Sequence, residues 1–258
     1  MTDGTAALRV EKVTKSFGGV QAIADVSFDV RDGSLTALIG PNGAGKSTMF
    51  NLLTNLYVAD SGRISYFGRD LAGMRSDTIA RLGLIRTFQT ARIFPGMTAL
   101  ENALAGSHMH AKSGAWKQML WLPGALREEH DLSAKADALL KLVGLSPFRN
   151  MAATDLPMGG QKLLEVVRAL MAGPRLLLLD EPAAGLNDAE TADLAELLRA
   201  VRDSGITVIV VEHNMSLVMG VADQVIVLDA GAVVASGTPR EIQKDKRVIA
   251  AYVGSENA

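Results

Sequence analysis

Residues 40–48 read GPNGAGKST and follow directly on the apolar run LTALI at 35–39. The pattern Gly-x-x-x-x-Gly-Lys-Ser/Thr binds phosphate when it lies between a strand and a helix, and this stretch offers that setting. Gly40, Gly43 and Gly45 let the backbone wrap so that consecutive amides face inward onto phosphate oxygens, with Pro41, Asn42 and Ala44 completing the loop. A helix opening near Gly45 adds unpaired amides and its dipole. Lys46 then reaches the β- and γ-phosphates, the Ser47 hydroxyl is placed for Mg2+, and Thr48 ends the motif. A chance glycine-rich turn would not carry the strand, the lysine and the serine together. The stretch points to a nucleoside triphosphate.

A second group of chemically capable residues lies further on. LLLLDEP places Asp180 at the end of an apolar run, where parallel sheets present ligands. A buried carboxylate there is costly unless it is paired or linked to a metal, and water-mediated contact with Mg2+ answers that cost. Glu181 follows where the chain leaves the sheet, so its carboxylate can face a γ-phosphate and polarise a water. Either acid alone could be loop surface; beside the 40–48 loop, both are assigned to the site. His213 ends the next apolar run, TVIVVEH, whose strand is expected to neighbour the one ending in Asp180. Gln89, in RTFQ, carries an amide able to touch both water and Mg2+, or is a surface glutamine. The three histidines His108, His110 and His130 have no metal-ligand spacing.

The stretch LPMGGQKLLEVVRAL, residues 156–170, sets two glycines at the opening of a helical pattern. Glycine costs up to about 1 kcal/mol in a helix interior, so their placement in a first turn calls for a reason.

These residues need a scaffold. Short Val/Leu/Ile runs at 35–39, 176–180, 207–212 and 224–229 read as strands, the unbroken ones buried on both faces. Between them NDAETADLAELLRAVRDSG carries Leu194, Leu197, Leu198 and Val201 on one helical stripe, with an Asn187–Glu190 capping box and a Gly205 stop. The order strand–helix–strand predicts a parallel α/β core. The N-terminal strands ALRVEKV and SFDV lie too close together for helical crossovers, so an antiparallel sheet is expected to flank it. QVIVLDAGAVVASG reads as a hairpin turning at Ala230 and Gly231. DLSAKADALLKLVGL has Leu139, Leu142 and Val143 at helical spacing, and the stretch from about 90 to 160 reads as an inserted helical subdomain. Within it, the part at 103–125, with Trp116 and Trp121, has no clean period: it reads as an amphipathic surface helix with a loop, a contact surface or a solvated connector.

Composition narrows the classes. The 258 residues are 48% hydrophobic, enough for a substantial core, and the net charge of -2 does not suggest nucleic acid. Without cysteine there is no disulfide or thiolate chemistry. MTDGTAALRVEKV lacks a secretory pattern, and no apolar run approaches the ~20 residues of a membrane span. A cytosolic chain is expected, with any membrane role exercised through a partner.

Taken together, these motifs make the chain resemble the nucleotide-binding subunit of ABC transporters over essentially its whole length. The resemblance implies a P-loop α/β fold with a parallel sheet, a flanking antiparallel β subdomain and the helical insert: one ATPase domain over residues 1–258, with the insert at about 90–160 including the signature region. It implies ATP and Mg2+, with Glu181 as general base, His213 as the γ-phosphate switch and Gln89 as the residue sensing Mg2+; Ser47, Gln89 and Asp180 form the metal set. Phe17, in KSFGG, falls where an aromatic stacks on adenine, and Gly185 to Asp188 fall in the loop that crosses a dimer interface. The stretch 156–160 aligns with the family signature Leu-Ser-Gly-Gly-Gln, which touches ATP held by the other subunit. Here Pro157 stands at the serine, Met158 at the first glycine, Gly159 at the second and Gly160 at the glutamine. Glycines in that turn admit a phosphate to the backbone amides, whereas proline brings neither hydroxyl nor amide hydrogen.

Finer resemblance, carried by EPAAGLN, EHNMSLVMGVADQVIVLDAG and GTPREIQKDKRVIAAYVG, points to the larger ATPase subunit of branched-chain amino acid importers. It implies a second, different ATPase subunit, two permease subunits, an external substrate-binding protein and a place at the cytoplasmic face of the bacterial inner membrane. Urea or amide importers carry similar motifs, as do lipopolysaccharide exporters, which the insert disfavours. DNA-repair relatives would need a coiled coil between Gln89 and the signature that the span cannot hold. A subunit that binds ATP without hydrolysis need not keep both Glu181 and His213, and a metabolite kinase would need an acceptor pocket that the sequence does not show.

Overall fold

The computed structural model describes residues 6–87, 92–109 and 123–255. Its centre is a six-stranded sheet in the order β10-β9-β3-β8-β7-β6. These strands are β3 (Leu35–Ile39), β6 (Leu84–Arg86), β7 (Leu176–Asp180), β8 (Thr207–Val211), β9 (Gln224–Asp229) and β10 (Ala232–Gly237). The five from β9 to β6 run parallel. Every residue of β3, β7 and β8 is buried, as the unbroken apolar runs require.

Alternation along each strand divides the core. Leu177, Leu179, Val208 and Val210 face one cluster with α5 (Met158–Met171) and α6 (Asp188–Asp203). Leu176, Leu178, Ile209 and Val211 face another, built on Met49, Phe50, Leu52 and Leu53 of α1 (Lys46–Leu53). The far wall of that second cluster is the antiparallel sheet β2-β1-β4-β5, which supplies Leu8, Val10, Ile23 and Val26. Its strands are β1 (Ala6–Phe17), β2 (Val20–Arg31), β4 (Ser61–Tyr66) and β5 (Arg69–Asp70). So α1 lies between two sheets, and the loop that opens it is held from both sides.

β9 and β10 form the expected hairpin, with Ala230 and Gly231 both at positive φ (45° and 79°) in the turn. In α6, Leu194, Leu197, Leu198 and Val201 are buried. The Asn187 side chain accepts from the Glu190 amide at 2.9 Å while the Asn187 amide donates to Glu190 Oε2 at 2.9 Å. α2 (Ser76–Arg81) precedes β6, and among the described residues between β6 and β7 the regular elements are helical: α3 (Ala99–Ala105), α4 (Pro123–Leu142) and α5, with short 3-10 turns. Helical spacing alone does not give the buried face of α4. Leu142 is 46% exposed, and the buried stripe runs instead through Ala136, Leu140 and Val143, at the i, i+4, i+7 spacing of a single face.

The reciprocal cap fixes where α6 begins. Asn187→Ala is expected to lower the stability of the isolated chain by about 1 kcal/mol. In urea unfolding the midpoint should fall with an unchanged slope, and an unmoved midpoint would show that the cap adds nothing.

Candidate functional site

The parallel strands β3, β6, β7 and β8 all release their chains at the same sheet edge, so their last residues converge. β3 runs into Gly40. There φ is 152°, and a β-carbon would stand 2.0 Å from the Leu228 carbonyl oxygen of β9. At Gly45, the residue that caps α1, φ is 99° and a β-carbon would stand 2.6 Å from the Ala22 carbonyl oxygen of β2. These two glycines are thus required by close backbone packing as well as by backbone turn, while Gly43 (φ 81°) has open space around it and is required by its turn alone. Ala44 is buried, and its carbonyl accepts from the Gly231 amide at 3.2 Å, which ties the loop to the β9–β10 turn. Asn42 and Ser47 are exposed, and Thr48 is half-buried.

Lys46 is buried. Its Nζ donates to the Gly40 and Pro41 carbonyls at 2.7 and 2.9 Å. Burial lowers its pKa, opposed by the negative charges of Glu181 and Asp180, which places all three groups within electrostatic reach of one another. The ammonium is thus parked on the loop's own carbonyls, beside the acids, where phosphate oxygens can replace those carbonyls as acceptors.

Asp180 is 6% exposed and ends β7. The cost of its burial is met within the chain. Arg86 Nη2 donates to Asp180 Oδ2 at 2.9 Å, a partner that the reading of the acid as a metal site alone did not identify. The next residue, Glu181, sits at φ 49°, an uncommon conformation for a residue with a side chain. Its Oε1 lies 3.0 Å from His213 Nε2, and its carbonyl accepts from Lys162 Nζ of α5 at 3.2 Å. β8 does pair with β7, so its end brings His213 to this acid.

A residue passed over in the sequence holds this arrangement. Glu212 is buried, and its carboxylate accepts the amides of Ala183 (2.6 Å), His213 (3.0 Å) and Asn214 (3.3 Å). One carboxylate thereby ties the loop after Glu181 to the loop carrying His213. Its only signal in the sequence is an acid between an apolar strand and a histidine, which the histidine overshadowed.

The remaining candidates are dispersed. Phe17 ends β1, exposed, in an edge-to-face contact with Tyr57 at 5.1 Å between centroids and with Lys15 Nζ 5.3 Å from its ring. Gln89 lies outside the described residues, as do Trp116 and Trp121. Pro157 is the N-cap of α5, one residue ahead of the first helical position, and makes no side-chain cap. Met158 is 71% exposed. Gly159 and Gly160 are buried, and a β-carbon at Gly159 would stand 2.5 Å from the Glu190 carboxylate. That glycine therefore has a reason within its own chain: the capping glutamate of α6 occupies the space a side chain would need. No cluster of three or more His, Cys, Asp or Glu among the described residues could hold a metal by itself.

A phosphate loop, a carboxylate pair and a histidine thus meet on one parallel edge, and comparison with known proteins places the chain in a family. The family profile described as "ABC transporter" matches residues 23–184, and the profile "Branched-chain amino acid ATP-binding cassette transporter" matches 232–258. The chain is 41% identical over 248 residues to the high-affinity branched-chain amino acid transport ATP-binding protein LivG of Salmonella typhimurium, covering 96% of this chain and 97% of that one. The corresponding protein BraF of Pseudomonas aeruginosa is likewise 41% identical over 248 residues, with the same coverage of 96% and 97%. Among solved structures, an ATP-binding cassette of an ABC transporter in its ADP conformation superposes with a TM-score of 0.81 at 32% identity, covering 96% of this chain and 99% of that one. A nucleotide-free cassette gives 0.78 at 31% identity, with coverage of 96% and 98%. A family match over more than half of the chain and relatives of this identity over nearly its whole length agree, and the chain belongs to the ABC transporter family.

Proposed function

We propose that the chain is the ATP-hydrolysing subunit of a membrane importer for branched-chain amino acids. The observation that carries the hydrolytic part is the 3.0 Å contact between Glu181 and His213, beside the buried Lys46 and Asp180. Loop amides and Lys46 hold the triphosphate. Glu181 orients a water and takes its proton as the water oxygen bonds to the γ-phosphorus and the bond to the β-phosphate oxygen breaks. His213 keeps Glu181 placed through Nε2 when no nucleotide is bound, and the same N–H can pass from Glu181 Oε1 to a γ-phosphate oxygen when ATP enters. In such a transfer positioning and charge neutralisation carry most of the rate.

The residues fit magnesium. Ser47 and Asp180 offer oxygen donors only, and the lack of a three-ligand cluster among the described residues suits a cation held by one carboxylate and by phosphates. When bound, Mg2+ neutralises charge on the β- and γ-phosphates; Gln89 belongs to the same proposed set. Phe17, its ring steadied by Tyr57, is the proposed adenine platform.

The substrate class is carried by the names of the relatives and by the C-terminal family match, and a urea or amide importer is the alternative. No helix among the described residues is long and apolar enough to cross a membrane. Membrane attachment at the cytoplasmic face would come through two permease subunits, an external binding protein delivering the substrate. A groove lined by Ile85, Phe94, Ala105, Glu165 and Arg168 suits a permease segment. Phe94 and Met97 are exposed, and the Arg168 guanidinium lies 5.0 Å from the centre of the Phe94 ring. The first turn of α5, Pro157 to Gly160, would meet ATP held by a second ATPase subunit. Helix-opening amides lack intrahelical partners and can serve there, but Pro157 supplies no donor. A different partner subunit with an intact signature would therefore complete the site built on Lys46.

Three outcomes test this reading. Lys46→Ala should abolish tight ATP binding, whereas Glu181→Gln should keep it and slow phosphate release in the assembled complex at least about a hundredfold. Undiminished release by Glu181→Gln removes the glutamate from its role. Phe94→Asp with Met97→Asp should detach the subunit from the permeases without changing nucleotide affinity, read by co-purification and by binding. Finally, the two sites of the complex should hydrolyse unequally in single-turnover measurements with each catalytic glutamate removed in turn. Pro157→Ser should then raise the slower site about tenfold or more, since one charge-assisted hydrogen bond is worth about 1.5–3 kcal/mol. Equal rates unmoved by the serine would make the proline a neutral helix opener.

A further inference from the structure

Arg86 ends β6 and is 11% exposed, and its guanidinium bridges two elements of the site. Nη2 donates to Asp180 Oδ2 at 2.9 Å, and Nη1 donates to Asn51 Oδ1 of α1 at 2.6 Å. The guanidinium carbon lies 5.6 Å from the centre of the Phe50 ring, one residue earlier on the same helix. Its neighbour Thr87 holds the same aspartate from the backbone side. The Asp180 amide approaches Thr87 Oγ1 at 3.4 Å, and the Thr87 amide donates to the Leu178 carbonyl at 2.9 Å. The aspartate is therefore clamped through its main chain and through one carboxylate oxygen, while no described residue donates to Oδ1.

A planar guanidinium with two forked donors can hold a carboxylate and an amide oxygen at a fixed separation; an ammonium cannot reproduce that fork. The Arg86 bridge spans the helix that opens with the phosphate loop and the strand that ends in the acid. It thereby sets both the rotamer of Asp180 and the distance of its free oxygen from the loop.

We propose that Arg86 is a positioning residue for the magnesium carboxylate: by holding Asp180 Oδ2 against Asn51, it presents Oδ1 to the hydration shell of the cation that accompanies ATP. This rests on the magnesium reading above. Outer partners of this kind typically change metal affinity 10–100-fold when removed.

The test is the binding of a fluorescent ATP analogue to the full chain, titrated with Mg2+ and repeated in EDTA. In Arg86→Met the half-saturating Mg2+ concentration should rise about 10–100-fold, with affinity in EDTA kept within about twofold. Arg86→Lys, which keeps the charge but not the fork, should fall between. Asn51→Ala leaves the buried ion pair intact, so it folds even where Arg86→Met does not, and it should shift the magnesium requirement in the same direction by a smaller factor. An unchanged or lower magnesium requirement in folded Arg86→Met or Asn51→Ala overturns the proposal, since it would mean that Arg86 competes with the cation or merely fills space. Binding by the unmodified chain that ignores Mg2+ altogether overturns the magnesium reading itself, and this one with it.

Discussion

Asp180 places a carboxylate at the end of a strand that is otherwise four leucines, 6% exposed, between two apolar core clusters. An uncompensated charge there would cost several kcal/mol, more than a marginally stable fold can carry from one residue. Much of the surrounding chemistry answers that demand. Arg86 is carried in from one neighbouring strand, Glu212 and His213 come from the strand on the other side, and Lys46 comes from the loop beyond that. Arg86, Lys46, Asp180 and Glu212 would each be expensive to bury alone, whereas His213 is partly exposed. Together two cations, Arg86 and Lys46, flank the acids at one strand end, with Glu212 satisfied by backbone amides, and this is the sheet edge at which parallel sheets present ligands.

The phosphate loop is held by packing as much as by its own turns. Its first and last glycines are pressed against carbonyl oxygens of β9 and β2, which belong to different sheets. The loop therefore registers the distance between the parallel core and the antiparallel sheet. Phe17 sits at the end of β1 in that same antiparallel sheet, paired with Val20 at the start of β2. Gly45 is thus the point at which the loop of the parallel core meets the antiparallel sheet that carries Phe17.

What could be read in advance followed how local each signal was. The loop at 40–48, the strand-end acids, the histidine and the α6 cap depend on residues within a few positions of one another, and composition and spacing expose them. Arg86 could not be read that way. It stands 94 positions from Asp180 and 35 from Asn51, and nothing in RTFQ announces which residue its fork will meet. Glu212 was hidden by the more reactive residue beside it. β5 and β6 escaped because they are short, and β4 because its exposed Ser61, Gly62 and Arg63 give no alternating pattern. The glycine at 159 had a visible functional reason, but the Glu190 carboxylate that occupies its side-chain space lies on another helix. Leu139, Leu142 and Val143 do stand on a helix, but the buried face runs through Ala136, Leu140 and Val143: an alanine gives little apolar signal, and Leu142 falls on the solvent side.

The same residues also tie the reaction centre to the chain's outer face. Arg86 lines the groove that holds Phe94 and Arg168, and it is the residue that pairs with Asp180. On the other side of that groove, α5 carries Glu165 and Arg168 on its groove face and Lys162 one turn earlier, where Lys162 donates to the carbonyl of Glu181. Glu181 is held at positive φ, a conformation that a residue with a side chain adopts only when its surroundings enforce it. Anything seated in the groove would therefore press on two rods. One is a guanidinium reaching the carboxylate of residue 180, the other a helix gripping the backbone of residue 181. Because these two residues are adjacent at a single strand end, the contacts from α5 through Lys162 and from β6 through Arg86 meet there. Packed interiors transmit such pressure without absorbing it.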